Sequence, residues 1–139
     1  MRKYLPTFAQ LIDRLCIVTL KSIKIPEHKK EYEEEAKEIM HDIDLILKKK
    51  KATAQMIRAI QVNAIANETI WENEKEARRG GKNQDKLLKY THSINGVRNM
   101  AMNVISQEVG ERKDLKLDCL AAEIIKEKGY DWRIWEEEK

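Results

Sequence analysis

The stretch AQMIRAIQVNAIANETIWENEKEARR, residues 54–79, decides the fold class. It holds neither Gly nor Pro and stops at Gly80-Gly81, and a mostly apolar track recurs at steps of three and four through Ile57, Ile60, Ala64, Asn67 and Trp71, with Met56, Ile60 and Ile70 on an adjacent one. That spacing places them on one side of a long helix, so a helix is predicted from about Ala54 to Arg79, with a flexible loop at residues 80–84. The next segment has the same character. Leu87, Tyr90, Ile94, Val97, Ala101 and Val104, with Ile105 alongside, predict a helix from about Asp85 to Val109 that ends at Gly110.

Beyond Gly110, a shorter fifth helix is predicted over roughly Leu117 to Lys128, with Leu120, Ala121, Ile124 and Ile125 turned inward and Gly129 as a left-handed cap. The tail 130–139 carries Trp132, Ile134 and Trp135 ahead of Glu136–Glu138, and its aromatic residues could dock on the bundle or on a neighbour.

On the other side of the deciding stretch lies the basic run Lys48–Lys51, which suits the carboxyl end of a preceding helix. The reading is a turn between antiparallel helices, with one continuous helix through Lys50 as the alternative. The preceding helix starts around Pro26 and carries a coiled-coil-like seam of Tyr32, Ala36, Ile39, Ile43 and Ile46. Earlier still, Thr7 and Gln10 have the spacing of a capping box, opening a first helix that runs to about Lys24. Its apolar residues, from Phe8 and Leu11 to Leu20 and Ile23, cover more than one stripe. This helix should be central and touched from several sides.

Composition agrees with this reading. The 139 residues are 37% charged and 42% hydrophobic with five Gly and two Pro, too few turn formers for a sandwich or barrel. A chain of this length can bury roughly two-thirds of its unfolded surface, enough for one core without staples. The fold expected is therefore a single all-α domain over residues 1–139: an antiparallel helical bundle of four main helices plus a short C-terminal helix.

Net charge is +3, with basic and acidic residues interspersed, and mean hydropathy is −0.67. A basic stripe with a docking motif is missing, so nucleic acid is not the expected partner. No apolar run is long enough for a signal peptide or membrane span, which points to a cytoplasmic protein that does not enter membranes. Cys16 and Cys119 stand far apart, without the neighbouring ligands of a zinc or redox site, and no cofactor is expected.

The informative anomaly is polarity within the apolar stripes. Both heptad tracks of the third helix pass through Asn67 and Glu74, and a carboxylate there needs a partner, which Arg78 four residues on could supply. In the fourth helix Asn95 and Arg98 flank Ile94, Ala101 and Ile105, and Arg98 needs an acid. Asp13 and Lys21 on the first helix could close the set. The constellation expected is Asp13, Lys21, Asn67, Glu74, Arg78, Asn95 and Arg98, beside Trp71. It reads either as a satisfied polar network that fixes helix register or an oligomer interface, or as a pocket for a small anionic ligand such as a sugar phosphate or nucleotide.

The same positions carry a resemblance. Leu11-Ile12-Asp13-Arg14-Leu15 with Ile17 and Lys21, the segment from Asn67 to Glu74 with Arg78, and Ile94-Asn95-Gly96-Val97-Arg98 resemble three conserved segments of small all-helical proteins of unassigned activity. Such proteins are often encoded near glycosyltransferase and surface-sugar genes, and the resemblance extends to tailed-phage sequences. Gly96 stands where that family usually has Asp, and Met102 where it tends to have a basic residue. The resemblance implies an all-α fold and no particular reaction.

Catalytic patterns are incomplete. Glu34, Glu35 and Glu38 match half of the carboxylate set of magnesium-dependent all-α nucleotide pyrophosphohydrolases, but the second Glu-x-x-Asp is missing at short distance. Glu38 and His41 form one Glu-x-x-His, where a di-iron bundle needs two. Gly80-Gly81 lacks a phosphate-loop lysine. The function expected is a non-enzymatic helical assembly or accessory protein that forms homo-oligomers, with the anionic-ligand binder as the alternative and the pyrophosphohydrolase behind both.

Overall fold

The first helix opens as Thr7 and Gln10 predict. Thr7 Oγ1 accepts from the Gln10 amide at 3.1 Å and Gln10 Oε1 accepts from the Thr7 amide at 2.9 Å, which satisfies two donors that a helix start leaves orphaned. A computed structural model of the chain describes residues 6–80 and 84–111. The expected fifth helix, the tail 130–139 and most of the loop near 80–84 lie outside these residues.

Four helices are present in the described residues: α1 (Phe8–Lys24), α2 (Lys29–Leu47), α3 (Ala54–Arg78) and α4 (Gln84–Val109). Pro26 does not begin α2 directly. It opens a single 3-10 turn, Pro26–His28, after Ile25 leaves the helical region at φ −125° and ψ 77°. The chain reverses in that turn, and regular hydrogen bonding resumes at Lys29.

The lysine run is a turn, not a continuous helix. The amides of Lys49 and Lys50 both return to the Ile46 carbonyl, at 3.0 and 3.1 Å, which closes the end of α2. Thr53 then takes an extended conformation and its Oγ1 accepts from the Met56 amide at 3.1 Å, capping α3. Two antiparallel hairpins result. The same Thr53 hydroxyl donates to Glu108 near the end of α4, so the open ends of α3 and α4 meet.

The hairpins meet through α1, which packs on α2, α3 and α4, while α2 packs along α1 and α3 along α4. The first half of α1 is where all four helices contribute to one core. Phe8, Leu11 and Ile12 meet Ile39 and Ile43 of α2, Met56 and Ala59 of α3, and Val104, Ile105 and Val109 of α4. Burying a side chain of Phe8's size contributes about 2–3 kcal/mol before the entropy of ordering it. The corner is also closed by a hydrogen bond: the Phe8 amide donates to Glu111 Oε2 at 2.7 Å, so a carboxylate from beyond α4 caps the positive end of α1.

Several residues assigned to apolar seams face outward. Ile57 is 52% exposed, Tyr90 40% and Ile23 69%. Ile57 sits on the side of α3 that neither α1 nor α4 covers, and Tyr90 lies in the part of α4 far from the core corner. The seam on α2 does dock, with Ile39 and Ile43 buried against α1.

Candidate functional site: a buried carboxylate clasp and an open cleft

Asp13 is only 6% exposed, on the face of α1 that meets α3 and α4. Four residues apart on α3, Asn63 and Asn67 present their amides to the same point. Asp13 Oδ1 accepts from Asn63 Nδ2 at 3.1 Å and from Asn67 Nδ2 at 2.9 Å. From α4, Arg98 closes on the carboxylate with Nε to Oδ1 at 2.9 Å and Nη2 to Oδ2 at 2.7 Å. Two further bonds tie the ring together: Asn67 Nδ2 to Asn63 Oδ1 at 3.2 Å and Arg98 Nη1 to Asn95 Oδ1 at 2.8 Å.

The electrostatics follow from this geometry. Burial pushes the Asp13 carboxyl up, but hydrogen bonds from Arg98 and Asn67, the charge of Arg98 and the Asn63 amide outweigh it, leaving the group below its ordinary value. The bidentate bond to Asp13 raises Arg98 against the opposing effect of burial. Nearby, burial raises the Cys16 thiol, with the Asp13 charge adding to the effect. A carboxylate with both oxygens engaged by fixed donors is a poor base and a poor ligand for an incoming group. The arrangement works as a clasp across three helices.

Sequence reasoning gathered eight residues into one constellation, and the structure divides them. Asp13, Asn67, Asn95 and Arg98 come together. Lys21 turns instead toward α2, with Nζ 5.9 Å from the centre of the Tyr32 ring. Glu74 is not held in the interior: it pairs with Arg78 at 3.9 Å on the surface, where their side chains are 56% and 80% exposed. The physical reason is the end of α1. Past Lys24 nothing from α1 covers α3, so the stripe that is interior at Asn67 is open at Glu74.

Asn63, fully buried and absent from the expected constellation, is the member that sequence reasoning missed. Its signal was the four-residue spacing to Asn67 on the same stripe.

Trp71, Glu74 and Arg78 line a cleft of about 320 Å³ together with Lys24 and Lys75. Lys24 bridges Glu68 at 2.9 Å and Glu72 at 2.8 Å, which holds the end of α1 against α3. Those bonds, Glu72's first, raise the Lys24 ammonium, and in turn hold the Glu72 carboxyl low.

Glu34, Glu35, Glu38 and His41 are exposed on α2, and no group of three or more His, Cys, Asp or Glu able to hold a metal ion occurs among the described residues. Nor is any described helix long and apolar enough to cross a membrane. Comparison with known protein families, with curated proteins and with solved structures gives no match.

Proposed function

We propose that the chain is a non-enzymatic helical assembly protein that works by self-association, with α2 as the pairing surface. The observation that carries this reading is how the interior charges are used. Asp13 and Arg98 spend their hydrogen bonds on each other and on Asn63, Asn67 and Asn95, which stiffens the body without leaving a reactive group.

The outward side of α2 supports a second copy as the partner. Among the described residues α2 packs on α1 alone of the other α-helices, and Met40 and Leu45 on its far side are 44% and 48% exposed. Glu34, His41 and Lys48 follow at intervals of seven, down one line of the helix between those two apolar residues. Acidic residues gather at Glu33–Glu35, one turn in from Lys29 and Lys30, with Glu34 also 3.4 Å from Lys37, and basic ones gather at Lys48–Lys51 past the other end. A second α2 laid antiparallel about His41 places Glu34 opposite Lys48 twice over. That is the self-complementarity a two-fold interface requires.

Sedimentation and light scattering of the full chain test the reading. A dimer is expected at micromolar concentration, weakened at least tenfold by Glu34→Lys with Glu35→Lys and recovered when Lys48→Glu and Lys49→Glu are added to the same chain. A monomer at high micromolar concentration overturns it.

A further inference from the structure

The cleft at the end of α1 is separate from the pairing surface on α2, and its chemistry points to a different partner. Trp71, Glu74, Lys75 and Arg78 lie on successive turns of one face of α3, where α1 has ended and left the indole half-buried. Lys24 forms the wall at the α1 side, and its ammonium is held by Glu68 and Glu72. Two further cations line the cleft. Lys75 carries one of them, and among the described residues Arg78 is tied only by the long, exposed contact to Glu74, so its guanidinium can turn toward an incoming anion.

We propose that this cleft binds a small phosphomonoester carried on a ring, with the ring against Trp71 and the phosphate between Lys75 and Arg78. The volume of about 320 Å³ falls at the small end of ligand sites, the size of a sugar phosphate or mononucleotide rather than a larger cofactor. The indole face offers stacking to a base or to the C–H face of a sugar, and its binding energy adds to that of the cations. Glu74 supplies an acceptor for a ring hydroxyl or amino group. Its charge also offsets one cation, so a bare anion gains little here and the ring is required.

The experiment follows the indole N–H resonance of Trp71 in the full chain, assigned through Trp71→Phe, during separate titrations with AMP, glucose 1-phosphate and inorganic phosphate. A saturable shift with AMP, with glucose 1-phosphate or with both supports the site, and the pattern distinguishes base stacking from sugar stacking. Arg78→Gln with Lys75→Gln, both at exposed positions, should weaken that binding at least tenfold while the circular dichroism spectrum stays unchanged. Higher salt should weaken it further. The proposal fails if neither ring compound shifts the resonance at millimolar concentration, if inorganic phosphate reproduces the same shift at the same concentration, or if the double variant binds as the parent does. The charge-reversed α2 variants should bind equally well, which keeps failure of this site distinct from failure of self-association.

Discussion

Arg98 grips Asp13 through two parallel hydrogen bonds, Nε to Oδ1 at 2.9 Å and Nη2 to Oδ2 at 2.7 Å, joining α1 to α4 across 85 positions of sequence. The pair is unequally sheltered, with side-chain exposures of 25% for Arg98 and 8% for Asp13. The carboxylate is thus the member that suffers if the contact is lost. Removing one partner of such a pair costs far more than exchanging both, because the survivor keeps its charge without compensation.

Arg98→Met should accordingly destabilise the fold by about 3 kcal/mol in urea titrations, leaving Asp13 with only the two asparagine amides. Adding Asp13→Asn to that variant should recover part of the loss, since the stranded charge is gone. A double-mutant cycle showing strict additivity would contradict the coupling described here.

Acid should weaken the protein through the same residue. The Asp13 carboxyl in the folded chain lies below its ordinary value of 3.8, so the folded state favours the ionised form. Its contribution is complete above the unfolded-state value near pH 4 and drains away as pH falls through the folded value. Urea midpoints measured downward from about pH 5 should therefore drop more steeply for the parent chain than for Asp13→Asn.

Thr53→Ala removes two bonds at once, the cap on the Met56 amide and the hydroxyl given to Glu108. The cap alone is worth about 1 kcal/mol, and leaving Glu108 without that donor adds to the loss. Thermal unfolding should show the deficit, and Thr53→Ser should restore most of it.

Gly110 terminates α4 at φ +79°, in the left-handed region that L side chains rarely adopt. Among the described residues an added Cβ would meet only Lys50 Nζ, at 3.6 Å, an ordinary contact. Gly110→Ala should therefore cost about 1 kcal/mol from backbone strain alone, and Gly110→Asn less, measured by urea unfolding.

The helices were legible because each rests on local chemistry: the Thr7–Gln10 box, the Gly-free run of α3 and the glycine after Val109 all act within a few residues. Asp13 and Arg98 were legible for a second reason. Each interrupts an apolar stripe, and an interior charge must find its opposite. Glu74 interrupts a stripe in the same way, yet lies in the open, because periodicity says which face of a helix is apolar and not how far a neighbour extends along it. Where α1 stops over α3 is set by how the two hairpins dock, which no spacing encodes. Asn63 was passed over for the converse reason. An uncharged amide among apolar neighbours makes a weaker demand on sequence logic, though in the structure it is among the most deeply buried side chains.

The bond from the Phe8 amide to Glu111 spans 103 positions and brings the first turn of α1 beside the residues that follow α4. The described path through the four helices is therefore nearly a closed circuit. Opened instead within Lys48–Ala52 and bridged by a short linker from Glu111 to Pro6, a chain would visit the helices in the order α3, α4, α1, α2 and preserve every neighbour relation. In such a rearranged chain Asp13 and Arg98 would lie far closer in sequence than the 85 positions that now separate them, so this pair should form sooner during folding.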